Sequence, residues 1–221
     1  MDILEAMRLR HSVRSYLEKP LEDGVKDALQ REIDQVNQES GLHIQLVAGE
    51  PKAFDSLMAH YGKFSGVTNY IALVGKKSPD LEELCGFYGE LLALLAQQLG
   101  LNTCWVAMTY KKIPGAFQTA PGEKLTMVIA LGYGATQGVP HKSKSAEAVA
   151  AGYGSAPEWF QKGVDAALLA PTAMNQQKFT FTLENGAVQA KAGGGFYTKT
   201  DLGIAKYHFE AAAGKENFRW A

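Results

Sequence analysis

Two short stretches carry the side chains best suited to chemistry. Arg10-His11-Ser12-Val13-Arg14 places two guanidinium forks, a hydroxyl and an imidazole within five residues. That set suits a phosphate and an adjoining anionic ring edge, because a guanidinium offers paired donors to either. Far downstream, Ala170-Pro171-Thr172-Ala173-Met174-Asn175-Gln176-Gln177 sits where a helical pattern runs into a strand pattern. Its hydroxyl and amides suit a polyol or the edge of a heterocycle, and Pro171 ends the helix. A basic stretch, His141-Lys142-Ser143-Lys144, lies between them.

The rest of the chain must position these groups. Ile3, Leu4, Met7 and Leu9 predict a short amphipathic helix that delivers the basic cluster, and Pro20 separates it from a second helix over 22–37. Strands are expected at 42–48 and 70–75, with a helix around 53–60 between them. The apolar run from Leu81 to Leu99 predicts a central helix closed at Gly100. Cys104 to Met108 leads into a loop with a short helix near 113–117, and 125–131 forms a third strand. A linker holding Gly152, Gly154 and Pro157 precedes a helix over 158–169 and a strand over 179–183. Asn185-Gly186 predicts a hairpin with 187–192. Gly193 to Gly195 is read as a flexible loop before a final helix over 200–213.

The 221 residues carry a formal net charge of −1 and are 46% hydrophobic, enough for a sizeable core and with no global field to attract nucleic acid. Nucleic acid and membrane are therefore not expected as partners. Cys85 and Cys104 are the two cysteines. They lack metal-site spacing, so no metal is expected and both are read as reduced and structural. The N-terminus lacks the order of a cleavable signal, which makes a cytoplasmic location the expectation. HExxH, Walker A and strand-borne GxGxxG motifs are not found.

Four stretches resemble the FMN-dependent nitroreductase family, in its single-chain, pseudo-dimeric branch. They are residues 10–14; Leu99-Gly100-Leu101-Asn102-Thr103-Cys104-Trp105; 128–134 with Lys142-Ser143-Lys144; and 169–177. The resemblance departs at one point. Ordinary members carry the Ala-Pro-Ser/Thr motif after the first long helix, where this chain has Val36-Asn37-Gln38-Glu39-Ser40, and draw it from a dimer partner. Here it stands in the second half, which would then replace the partner.

The resemblance implies an α+β nitroreductase-like fold, with a mostly antiparallel sheet flanked by helices and two pseudo-symmetric halves fused in one chain. A single domain over 1–221 would comprise a first half of about 1–150 and a second of about 157–221. It implies one FMN per chain. Arg10, Lys142 and Lys144 would clamp the phosphate, His11 and Ser12 would add phosphate or ribityl contacts, and Arg14 would approach the N1 and C2 carbonyl edge. Pro171, Thr172, Ala173, Asn175 and Gln176 would line the flavin. Backbone amides of Ala107 and Met108 would lie near N5, with no side chain assigned to catalysis. Trp105 is read as core packing.

The implied activity is ping-pong oxidoreduction, in which NADH or NADPH reduces FMN and a nitroaromatic, quinone or related electrophile reoxidises it. The alternatives are a specialised flavin reaction, such as flavin breakdown or reductive dehalogenation, and a flavin-binding protein without turnover. The expected partner is a small-molecule acceptor. A monomer is expected, with a homodimer as the alternative.

Overall fold

The computed structural model describes residues 1–221. In chain order its elements are α1 (Ile3–Leu9), α2 (Asp23–Ser40), β1 (Gln45–Val47), α3 (Leu57–Tyr61), β2 (Asn69–Lys76), α4 (Leu81–Gln98), β3 (Asn102–Val106) and β4 (Glu123–Gly132), followed by α5 (Ala146–Val149), α6 (Glu158–Ala167), β5 (Phe179–Glu184), β6 (Ala187–Ala192), α7 (Thr198–Ala213) and β7 (Arg219–Trp220). The chain divides into two compact units. One comprises 9–81 and 92–139, and the other comprises 1–8, 82–91 and 140–221.

In the first unit, the order β1-β2-β4-β3 makes a four-stranded antiparallel sheet. β2 is buried along almost its whole length, because Tyr70-Ile71-Ala72-Leu73-Val74 is apolar on both pleat faces. Its register with β4 slips between Leu73 and Val74, and the extra residue, Thr126, donates its hydroxyl to the Leu73 carbonyl at 3.0 Å. Phe54, Phe64, Val67 and Tyr70 are buried in the core cluster that also holds Ala72 and Val128.

Residues 12–17 are threaded onto this sheet as an extended strip. Ser12 bridges Thr103 of β3, Ser15 bridges Ser65, and Tyr16 bridges Gly134. Val13 donates its N–H to the Thr103 carbonyl at 3.0 Å, and Leu17 donates to that of Tyr133 at 2.8 Å. Gly66 makes the strip possible: its φ is 68°, and a Cβ there would collide with the Tyr16 carbonyl.

The second unit builds its own core around Phe160, Phe181 and Phe209, with the Phe181 and Phe209 rings 4.8 Å apart. The β5–β6 hairpin turns at Asn185-Gly186, whose φ values of 52° and 74° are those a tight primed turn demands. β7 adds to β6 in parallel, pairing Val188 with Trp220. α7 packs closely on residues 82–91 of α4, where Gly86 faces Thr200 and Gly203.

Several expectations need correcting. No helix forms at 113–117: Pro114 and the positive φ of Gly115 (80°) hold a turn closed by Ala116 N–H donating to the Ile113 carbonyl at 3.2 Å. The helix expected from residue 53 starts only at Leu57, capped by the Ser56 hydroxyl. The first strand shortens to 45–47, and residues 102–106, expected to lead into a loop, are a strand paired with β4.

Candidate functional site

Each unit carries its own set of polar groups. In the first unit, period-two geometry sends Ser12 and Arg14 to the exposed side of the extended strip and Val13 to the other, where it is buried. Arg10 is buried, His11 half-buried, and Ser12 and Arg14 are exposed. The Arg14 guanidinium stands over the Phe64 ring, 5.9 Å from its centroid. Cys104 is buried in the same core as Val13, its thiol donating to the Trp105 carbonyl at 3.6 Å. Burial pushes that thiol up, opposed in part by the charges of Arg14 and Arg10, so it is a neutral structural group. Tyr16 is pushed up for the same reason and donates its hydroxyl to the Val13 carbonyl at 2.7 Å, bracing the strip from within. Ala107 is half-buried and Met108 exposed, just past the end of β3.

Beside this strip lies a cavity of about 370 Å³, lined by Glu18, Phe54, Asp55, His60 and Phe64 among others. A second one of about 560 Å³ is lined by Glu18, Leu21, Lys26, Gly49 and Asn69 among others.

In the second unit the structure joins the basic stretch and the amide loop through residues 33 to 35 positions apart in sequence. Lys144 donates its backbone N–H to Gln177 Oε1 at 2.8 Å and its ammonium to the Gln177 carbonyl at 2.8 Å. Asn175 Nδ2 and Gln177 Nε2 both donate to the Lys142 carbonyl, at 2.9 and 2.8 Å. The loop is tightly wound, with Met174, Asn175 and Gln177 all at positive φ (52°, 53° and 44°). Such backbone costs on the order of 1 kcal/mol or more per residue and clusters at functional sites. His141 Nε2 and the Ser143 hydroxyl reach the Leu168 carbonyl at 2.9 and 3.0 Å, tying the basic stretch to the end of α6.

The loop also has a buried support that the sequence did not reveal. Asp201, 3% exposed in the first turn of α7, accepts the Ala173 N–H at 2.9 Å and Gln176 Nε2 at 2.7 Å. Burial pushes its carboxyl up to about 6, opposed by those two bonds. Nothing near residue 201 in sequence signals this, since its partners are 25 and 28 positions away.

The expected residues therefore differ in how much of their bonding capacity the protein itself uses. Lys144, Asn175 and Gln177 are bonded within the loop system. The Lys142 ammonium and the Arg14 guanidinium stand exposed, and Gln176 keeps its Oε1 outside any protein hydrogen bond. Pro171, Thr172 and Ala173 are half-buried at the entrance of the loop. Cys85 and Cys104 are both buried and unlinked. No group of three or more His, Cys, Asp or Glu could hold a metal ion, and no helix is long and apolar enough to cross a membrane.

An α+β chain with an antiparallel sheet and this paired set of basic and amide loops matches one family model, described as "Putative TM nitroreductase", over residues 2–213. The chain belongs to that family of oxidoreductases. Among solved structures it is similar to a "putative nitroreductase" from Thermotoga maritima MSB8, at 25% identity and a TM-score of 0.71, over 98% of this chain and 85% of that one. A "Putative NADH dehydrogenase/NAD(P)H nitroreductase" from Bacteroides thetaiotaomicron shares the fold at 21% identity and a TM-score of 0.52, over 66% of this chain and 95% of its own. A "putative nitroreductase in complex with fmn" from Desulfovibrio desulfuricans does so at 16% identity and a TM-score of 0.50, over 67% and 95%. No curated protein matches the chain.

Proposed function

We propose that the chain is an FMN-dependent oxidoreductase that takes hydride from NADH or NADPH and passes it to a small electrophilic acceptor, of the nitroaromatic or quinone type. The observation that carries this reading is the donor set, taken with family membership. Exposed cations at Arg14 and Lys142 suit a phosphate and an electron-rich ring edge, and a lone amide acceptor at Gln176 suits a heterocycle N–H. Arg10 and Lys144 are the further phosphate-side cations of this proposal, with His11 and Ser12 on the phosphate or ribityl side. Pro171, Thr172, Ala173 and Asn175 form the wall of the amide loop, and Ala107 and Met108 present backbone near the reacting centre.

The bound flavin supplies the hydride chemistry, so no acid or base triad is required of the protein. What the chain supplies is position and field. Arg14 sets a fixed positive charge on the ring edge where reduction leaves negative charge, which favours the reduced form. One FMN per chain is expected, because the Arg-x-Ser-x-Arg pattern occurs once.

The test is direct. Purified full-length chain should be yellow or take up added FMN, and NADH or NADPH should bleach the flavin under anaerobic conditions, with colour returning on addition of a quinone. Uptake without bleaching would reduce the protein to a flavin carrier. Failure to bind FMN at all would overturn the reading.

A further inference from the structure

Gln176 presents an unusual arrangement. Its Nε2 lies 2.7 Å from the Asp201 carboxylate and 3.0 Å from the Phe196 carbonyl, and both of those groups only accept. The terminal atom between two acceptors must be the amide nitrogen, with both hydrogens spent. The other terminal atom, Oε1, is then fixed as an acceptor, and it takes no hydrogen bond from the protein. It lies near Gly195, where an added Cβ would stand 3.2 Å from it and 3.2 Å from the Lys178 ammonium, which donates to the Gly194 carbonyl.

Asp201 is the group that sets this orientation. Its two oxygens are divided between the Ala173 N–H and Gln176, so one carboxylate pins both the backbone and the side chain of the amide loop. No charged side chain is paired with it. Around α7, Lys206 is engaged with Glu83 of α4, His208 with Glu90 of α4, and Lys178 of β5's leading edge with the Gly194 carbonyl. Lys199, two positions earlier on the helix, faces another direction.

We propose that Asp201 is a positioning residue, holding the Gln176 amide with Oε1 outward so that this acceptor receives the single N–H of the flavin's pyrimidine edge. This deepens the FMN reading and rests on it. A buried carboxylate here is not a stabilising choice. Its folded pKa of about 6 lies above the usual 3.8, so its favourable contribution to folding is complete below 3.8 and is lost as pH rises through about 6. At neutral pH the protein carries the cost of the ionised form, and the return is the set of the amide.

Asp201→Asn separates position from shape. Its Oδ1 still accepts the Ala173 N–H, but its Nδ2 opposes Gln176 Nε2, donor against donor, and turns the amide over so that a donor faces outward. At pH 7.5 FMN affinity should fall about tenfold or more, the scale of a lost buried hydrogen bond, while Tm stays level or rises. The ratio of wild-type to variant affinity cancels titration of the ligand's own phosphate. That ratio should shrink toward one by pH 5, as wild-type Asp201 protonates. FMN methylated at the ring N–H should bind the two proteins alike.

A ligand-free reading keeps the two proposals apart. In the full chain without flavin, the Gln176 side-chain amide NMR signals should shift as pH passes through about 6, and not in Asp201→Asn. An absent shift overturns the Asp201 role even if FMN binds. A shift without FMN uptake overturns the flavin reading and the ligand assigned to Gln176. An affinity ratio near one at pH 7.5, or one constant with pH, also overturns the proposal, as does a Tm loss that accompanies weaker binding.

Discussion

Gly203→Ala is the sharpest structural perturbation available, because the space it would fill belongs to backbone. A Cβ on Gly203 would run into the Glu83 carbonyl oxygen of α4 and lie 2.8 Å from the Phe87 nitrogen. Reciprocally, Gly86 has the Thr200 carbonyl against it and the Gly203 Cα at 3.1 Å from its own added Cβ. Flexible side-chain ends can yield, but two helix backbones yield only by separating. Separation strains the Lys206 to Glu83 ion pair at 2.7 Å and the buried His208 to Glu90 hydrogen bond at 3.0 Å. Overpacking costs about 1–3 kcal/mol and more where nothing can move, and the helix propensity of alanine returns up to about 1 kcal/mol. With backbone on both sides the gross cost stands at or above the top of that range, about 3–5 kcal/mol, which leaves an expected net loss of roughly 2–4 kcal/mol. For a chain of 221 residues that lowers Tm by roughly 4–16 °C, at about 2–4 °C per kcal/mol. Thermal unfolding followed by circular dichroism, with a urea series to check that the slope m is unchanged, reads it directly. A Tm equal to or above that of the wild type would show that these helices do not meet through their backbones.

The same substitution should have the opposite sign at Gly24, inside α2, where an added Cβ meets nothing within 4 Å and φ is not positive; Gly24→Ala should gain about 0.5–1 kcal/mol in urea unfolding. Glu90→Ala should cost about 1–3 kcal/mol, because His208 Nδ1 donates to the Ala166 carbonyl at 3.0 Å and the buried Nε2 would lose its partner; Glu90→Gln, which keeps a polar partner there, should lose less in the same assay. Arg14→Ala should slow flavin reduction by NAD(P)H roughly 10- to 100-fold in stopped-flow, below the about 10²–10³ of a water-excluded donor because Arg14 is exposed. An unchanged rate would remove Arg14 from the ring edge.

Local chemistry made some of this legible and tertiary contacts hid the rest. Asn185-Gly186 announces its hairpin because few residue pairs accept two consecutive positive φ angles, and the structure has both. Residues 102–106 did not announce a strand, since they are buried on both faces and show no alternation. Pro114-Gly115 breaks the helical pattern at 113–117 by local chemistry, a fixed proline φ followed by a positive one. β7 could not be read at all: two residues become strand only by pairing with β6. In the site, Arg10 to Arg14 and the Pro171 to Gln177 loop were visible from side-chain type alone. The junction of Lys144 with Gln177 and the Asp201 support were not, because they rest on contacts 25 or more positions apart.

Calorimetric titration of the flavin-free full-length chain with FMN tests the central claim most directly. One FMN per chain is the predicted stoichiometry, with affinity that weakens when Arg14 or Lys142 is replaced by alanine. Two sites per chain would contradict the single Arg-x-Ser-x-Arg site, and no heat of binding would contradict the flavin assignment itself.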